Sequence, residues 1–191
     1  MEQLKTHPTI GVCGLDCGLC PRHYTVGTSR CPGCGGPGFS TKHPSCSFIT
    51  CAVKKKGLEA CGQCGAFPCP KFKGEEAYRQ APASTSYPPP SIMLSNLAFI
   101  RDKGIEAFLA RQRERIGLLE AMIEGFDDGR SRSFFCRAAA LLDPGSVRRS
   151  LDEANRATEA GGAGGRAAKA KVLRALLLRA ALSEGHPLGQ R

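Results

Sequence analysis

Apolar residues recur at helical spacing only in the second half of the chain. Leu94, Leu97 and Phe99/Ile100 form a short stripe that Gly104 stops. Ile105, Phe108/Leu109, Ile116, Leu119 and Met122/Ile123 form a longer one, closed by Gly125. Phe134 and Phe135 open a third apolar patch that runs to Leu142. Asp143-Pro144 then offers a cap and a first helical residue, and Val147, Leu151 and Ala154 keep one face of the helix that follows. The glycines between 161 and 165 make a break, after which Val172, Leu173, Leu176, Leu177 and Ala180 mark a last helix. No strand-period alternation is visible after residue 81. The pattern predicts a small all-α helical bundle over 92–191.

Ahead of it, residues 81–91 (APASTSYPPPS) have no helical period, and their prolines favour extended backbone, which reads as a semi-rigid linker. Residues 1–80 are of another kind. Between Gly11 and Lys73 lie 63 residues, of which 11 are Gly and 6 are Pro, and only 12 are large and apolar. Ordering a residue costs about 1–2 kcal/mol of backbone entropy. Burying a large apolar side chain returns about 1.5–3 kcal/mol. Twelve such side chains cannot order that segment alone, and small modules in this position use disulfides or a structural metal.

Of the 11 cysteines, ten fall in this segment: Cys13, Cys17, Cys20, Cys31, Cys34, Cys46, Cys51, Cys61, Cys64 and Cys69. The N-terminus lacks the apolar core of a signal peptide and no apolar run reaches a membrane span, so the expectation is a cytoplasmic protein without membrane contact. There thiols stay reduced, and dense cysteines read as metal ligands. Cys31-Pro-Gly-Cys34-Gly and Cys61-Gly-Gln-Cys64-Gly are the sharpest pairs. Two cysteines with two residues between them bite one ion, and the glycine that follows permits a positive φ that turns N–H groups toward sulfur. The two pairs fit one tetrahedral four-thiolate site, as in zinc ribbons. The other reading gives each pair its own ion. Cys17-Gly-Leu-Cys20 starts a second site, to which Cys46 or Cys51 and Cys13 or Cys69 contribute. The expected cofactor is zinc, two ions, and a structural role supplies roughly 10–16 kcal/mol of folding energy per site. The alternative is an iron–sulfur cluster, which the same thiolates suit, with Cys20-Pro21 and Cys69-Pro70 similar to the ends of ferredoxin ligand runs. His23 and His43 lie among the ligands but read as packing or surface groups, and Cys136 as a small buried apolar residue. Asp16 reads as a turn or hydrogen-bond acceptor rather than a base.

The runs GVCGLDCGLCP, SRCPGCGG and SCSFITCAVKKKGLEACGQCGAFPCPKF resemble the prokaryotic cysteine-rich family catalogued as domain of unknown function 3795. The resemblance covers Cys13 to Phe72, and all ten cysteines fall at its motif positions. SNLAFIRDKGIEAFLARQ and DDGRSRSFFC are more loosely similar to a helical extension of one subfamily. The resemblance implies a zinc-binding protein with no established activity.

The formal charge is +10, divided equally between residues 1–90 and 91–191. Two zinc ions on eight thiolates would lower it to about +6. Lys54–Lys56, Arg111/Arg113/Arg115 and Arg166/Lys169/Lys171/Arg174/Arg179 are the basic clusters. Aromatic residues are only 6 %, with no basic–aromatic strand to stack bases, so solvated faces are favoured over nucleic-acid contact. No nucleophilic triad, phosphate loop or carboxylate pair stands out, which argues against an enzyme. The whole therefore reads as a small irregular α+β, metal-stabilised Cys-rich module of zinc-knuckle or ribbon type, followed by the helical bundle. Its function is metal binding in a binding or regulatory module with an unidentified protein partner. The alternatives are thiol redox or electron transfer, and zinc-dependent nucleic-acid binding.

Overall fold

The computed structural model describes residues 3–43, 45–72, 90–160, 164–186 and 188. The described residues up to Phe72, with Pro90–Gln112, form one compact unit, and those from Arg113 onward form a second.

The first unit contains no strand among its described residues. Its one β contact is an isolated antiparallel bridge between Ile10 and Asp16. The expected α+β ribbon is therefore replaced by short helical turns: Cys17–Leu19, Pro21–Tyr24, Phe39–Lys42 (α1), Cys61–Gln63 and Pro70–Phe72, with a π-helical stretch at Ile49–Lys54. The physical reason is spacing. Cysteines and prolines punctuate the chain every few residues, and each local turn closes through its own amide bonds. Cys20 N–H donates to Cys17 O at 3.2 Å, and Cys64 N–H to Cys61 O at 3.0 Å. Extended runs long enough to pair do not survive between them.

Helices from beyond the Cys-rich segment complete this unit. α2 is Pro90–Lys103 and α3 is Ile105–Phe126, separated by Gly104 at φ +85°. The apolar core joins Ile10, Val12, Ile49, Ala52, Ala60 and Phe72 to Leu94, Leu97 and Ile100 of α2 and Phe108 and Leu109 of α3. Those helical side chains add roughly 7–15 kcal/mol of burial at the usual return per side chain. So the Cys-rich segment does not rely on its own apolar residues alone, and the helical region expected from residue 92 onward is shared between both units. Of the expected linker, residues 81–89 lie outside the described residues, and Pro90 and Ser91 open α2.

Two glycines let α2 press onto the cysteine loops. Gly14 sits at φ +91°, where an added Cβ would strike the Met93 carbonyl. A Cβ on Gly62 would strike the Leu97 carbonyl. The α2 helix duly packs against the Cys61–Gln63 turn.

The second unit is helical, as its periodicity predicts. After the rest of α3 come α4 (Arg132–Leu141), α5 (Pro144–Ala160) and α6 (Arg166–Ser183). Gly125 lies inside α3, one residue before its end, rather than closing it. Asp143 caps α5, its Oδ1 accepting the N–H of Gly145 at 2.9 Å. Val147, Leu151 and Ala154 of α5 are buried, as are Leu173, Leu176 and Leu177 of α6. α5 packs along α6, and α4 touches both. Cys136 is fully buried within α4, the place its isolation suggested. No described helix is long and apolar enough to cross a membrane.

Candidate metal centre

All ten clustered cysteines are free thiols in the first unit. Their sulfurs fall into two neighbourhoods. Cys51, Cys61, Cys64 and Cys69 line one cavity of about 270 Å³, beside Phe67 and Phe72. Three short elements bring them there: the π-helical stretch carries Cys51, the turn Cys61–Gln63 carries the pair Cys61/Cys64, and Cys69 precedes the turn Pro70–Phe72. Gln63 fixes that pair by reaching back, its Oε1 accepting the N–H groups of Glu59 at 2.8 Å and Ala60 at 3.0 Å.

The other neighbourhood centres on Cys34, which feels the charge of Cys46 and Cys31, while Cys17 feels Cys34, Cys13 and Cys20. Cys13 is coupled to Cys34 and Cys46 and also lies within reach of Cys61. Cys20 is coupled to Cys31, whose Sγ stands 3.4 Å from Nε2 of His43. The His43 ring stacks on Phe39 at 4.4 Å between centroids, so its direction is fixed. His23 instead turns Nδ1 toward the Cys31 carbonyl at 3.2 Å. His43 thus brings its ring to a thiol, and nothing in its sequence spacing set it apart from His23.

Cys61 and Cys64 of the second CxxC pair line the cavity beside Phe67 and Phe72, and Cys31 and Cys34 of the first do not. Gly35, after the first pair, adopts φ +71°, while Gly65, after the second, has no positive φ. Among the described residues, no three His, Cys, Asp or Glu side chains already close on a point where an ion would sit. In donor chemistry the groups do fit a thiophilic cation, because each offers at least four sulfurs from separate turns.

The electrostatics sharpen this. Burial raises the Cys13 thiol to about 11, with Cys34 and Cys46 adding repulsion. Burial takes Cys61 to about 12, with Cys13, Cys69 and Cys51 adding to it. Burial also lifts Cys17, Cys20 and Cys34. Crowded thiols of this kind lose their protons only when positive charge arrives.

Two lysines supply part of that charge. Lys5 is only 3 % exposed, and its Nζ donates to Ile10 O at 2.5 Å. Burial lowers its pKa, while Cys34, Glu59, Cys17 and Cys13 hold it up. The N-terminal segment that carries it is pinned on both sides. Leu4 N–H donates to Gly35 O at 2.8 Å, and the Glu59 carboxylate accepts the N–H groups of Thr6 and His7 at 2.8 and 2.9 Å. In the cavity lined by Cys51, Cys61, Cys64 and Cys69, Lys56 Nζ donates to Cys64 Sγ at 3.0 Å, and that bond lowers the Cys64 thiol. Neither lysine was legible as a site residue; Lys5 stood alone in a polar N-terminus and Lys56 in a solvated run.

Asp16, between Cys13 and Cys17, is buried and accepts from Gln112 at 2.7 Å, the acceptor role expected of it. The other basic clusters divide. Arg115 is buried against Ala139 and Leu142 carbonyls, and Arg111 lies 5.4 Å over the Phe99 ring, so neither forms an open phosphate-binding row.

Over residues 9–74 the chain matches the family described as "Protein of unknown function (DUF3795)", the family its cysteine motifs resemble. All ten clustered cysteines fall within that span. No curated protein and no solved structure matches the chain.

Proposed function

We propose that the DUF3795 segment of this chain is a thiolate metal-binding module whose resident ion is zinc. One centre draws on Cys51, Cys61, Cys64 and Cys69. The other draws on Cys13, Cys17, Cys34 and Cys46, with Cys20 and Cys31 beside it. The ions act structurally, by tying separate turns to one another, and the module serves binding or regulation in a reducing cytoplasm.

The observation that carries this reading is the buried Lys5 ammonium set against Cys13, Cys17 and Cys34. A buried ammonium is retained only where counter-charge meets it. Beyond the Glu59 carboxylate, neutral thiols add none, and these thiols stay neutral until a cation takes their protons. A four-thiolate zinc centre carries a net double negative charge. Lys5 then faces an anion, and both charges gain.

Metal analysis of full-length protein purified without oxygen tests this. About two zinc ions per chain and a colourless preparation are expected. Visible charge-transfer absorption with equimolar iron and sulfide would replace the reading with an iron–sulfur protein. Protein that carries no metal and stays folded would end it.

A further inference from the structure

A cavity of about 540 Å³ in the second unit lies between one face of α6 and the turn 128–131 that precedes α4. On α6, Ala167, Ala170, Lys171, Arg174, Ala175 and Leu178 follow one another at helical spacing and share that face. The alanines and Leu178 make an apolar floor. Lys171 and Arg174 stand on it, and Arg130 comes from the opposite wall.

Neighbouring charge is arranged to leave this wall positive. The one carboxylate in it, Asp128, turns its Oδ1 to the N–H groups of Arg130 and Ser131 at 3.0 and 2.9 Å. Asp127, next to Asp128 in sequence, is engaged elsewhere, pairing with Arg132 at 2.8 Å. Arg174 is held in place by the Phe134 ring, 4.3 Å from its guanidinium carbon. Burial and the charge of Arg174 together push the Arg137 guanidinium below its ordinary value, so positive charge is crowded at this end of the bundle. An anion relieves that crowding.

We propose that this cavity binds a small organic phosphate. The guanidiniums of Arg130 and Arg174 and the ammonium of Lys171 take the phosphate oxygens, and the Ala170–Leu178 floor takes the apolar part. Guanidinium forks match phosphate oxygens in pairs, lysine adds a point charge, and three cations suit a dianion better than a single carboxylate. The apolar floor selects an ester over the free ion. The site lies wholly in the helical unit and is independent of the metal reading.

Calorimetric titration of the full chain at low salt tests it, with phenyl phosphate, inorganic phosphate and benzoate as probes. Phenyl phosphate is expected to saturate one site, about tenfold more tightly than either other probe. Lys171→Gln and Arg130→Gln each weaken it by about fivefold or more. Lys169→Gln, outside the cavity on the same helix, leaves it unchanged. Lys171 is exposed, so its variant folds whatever happens to variants of Arg174, which packs on Phe134. No saturation by about 10 mM phenyl phosphate overturns the proposal. So does equal binding by the Lys171 variant, or benzoate binding as tightly as phenyl phosphate.

Discussion

Gln112 Nε2 donates to the buried carboxylate of Asp16 at 2.7 Å, joining residues 96 positions apart. The same amide nitrogen reaches Thr9 O at 2.9 Å. One side chain at the end of the α3 stretch in the first unit thus fixes both ends of the loop that carries Cys13. A carboxylate that is only 5 % exposed needs donors to offset its desolvation, and Gln112 supplies one. Gln112→Ala is therefore expected to lower the stability of the first unit by about 1–3 kcal/mol. The urea midpoint followed by hydrogen exchange at residues 10–20 measures it. An unchanged midpoint would show that Asp16 does not depend on this bond.

Lys5→Met separates a thiolate centre from a plain thiol cluster by its effect on metal. In a plain thiol cluster the substitution costs only the bond to the buried Ile10 carbonyl and the contact with Glu59, about 1–3 kcal/mol of stability, with no change in metal retention. Against a thiolate centre, the substitution removes the counter-charge and weakens zinc retention by about tenfold or more, as a buried charge pair does when halved. Competition with a chromogenic chelator gives the affinity. Tighter retention in the variant would contradict the proposed function.

Cys64→Ser and Cys136→Ser should behave differently. Cys64 shares its cavity with Cys51, Cys61 and Cys69, so its loss is expected to cost one zinc per chain and to loosen the first unit. Cys136 is fully buried in α4 of the helical unit. Its replacement exchanges a buried sulfur for a smaller, more polar hydroxyl, with an expected cost of about 1–3 kcal/mol to that unit and none to metal content. Equal metal loss from both variants would break the division of labour between the units.

Zinc binding should be steeply pH-dependent. Cys13 and Cys61, raised to about 11 and about 12, hold their protons at neutral pH. Binding must displace them, so affinity falls as pH falls, about tenfold per unit for each proton released. For the metal-free reduced chain the sign reverses. A raised thiol pKa gives stability that is full below the unfolded value of 9.0 and is lost as pH rises through about 11. Titration calorimetry in buffers of different ionisation enthalpy counts the protons. Release of none would mean that the thiols do not ligate.

Arg115 offers a test of the helical unit alone. Its Nη1 donates to Ala139 O at 2.5 Å and Leu142 O at 2.8 Å, closing the last turn of α4. Arg115→Met keeps the stem and leaves those buried carbonyls short of a donor, at an expected cost of about 2–4 kcal/mol. Thermal unfolding followed at helical wavelengths reads it. A variant as stable as the parent would assign the end of α4 to other contacts.

Sequence alone determined the helices of the second half and the clustering of the cysteines in the first. The stops at Gly104 and Asp143-Pro144, and the buried face Val147, Leu151 and Ala154, are local properties, since propensity, capping and period act within a few residues. Tertiary structure alone decided which sulfurs share a neighbourhood, because two residues between cysteines fix a bite and say nothing of which turns come together. It also decided that Leu94, Leu97, Ile100, Phe108 and Leu109 fill the core beneath those turns. And it brought Lys5 and Lys56 to the sulfurs, a placement set by where the folded backbone aims a long flexible side chain, which no local pattern of residues encodes.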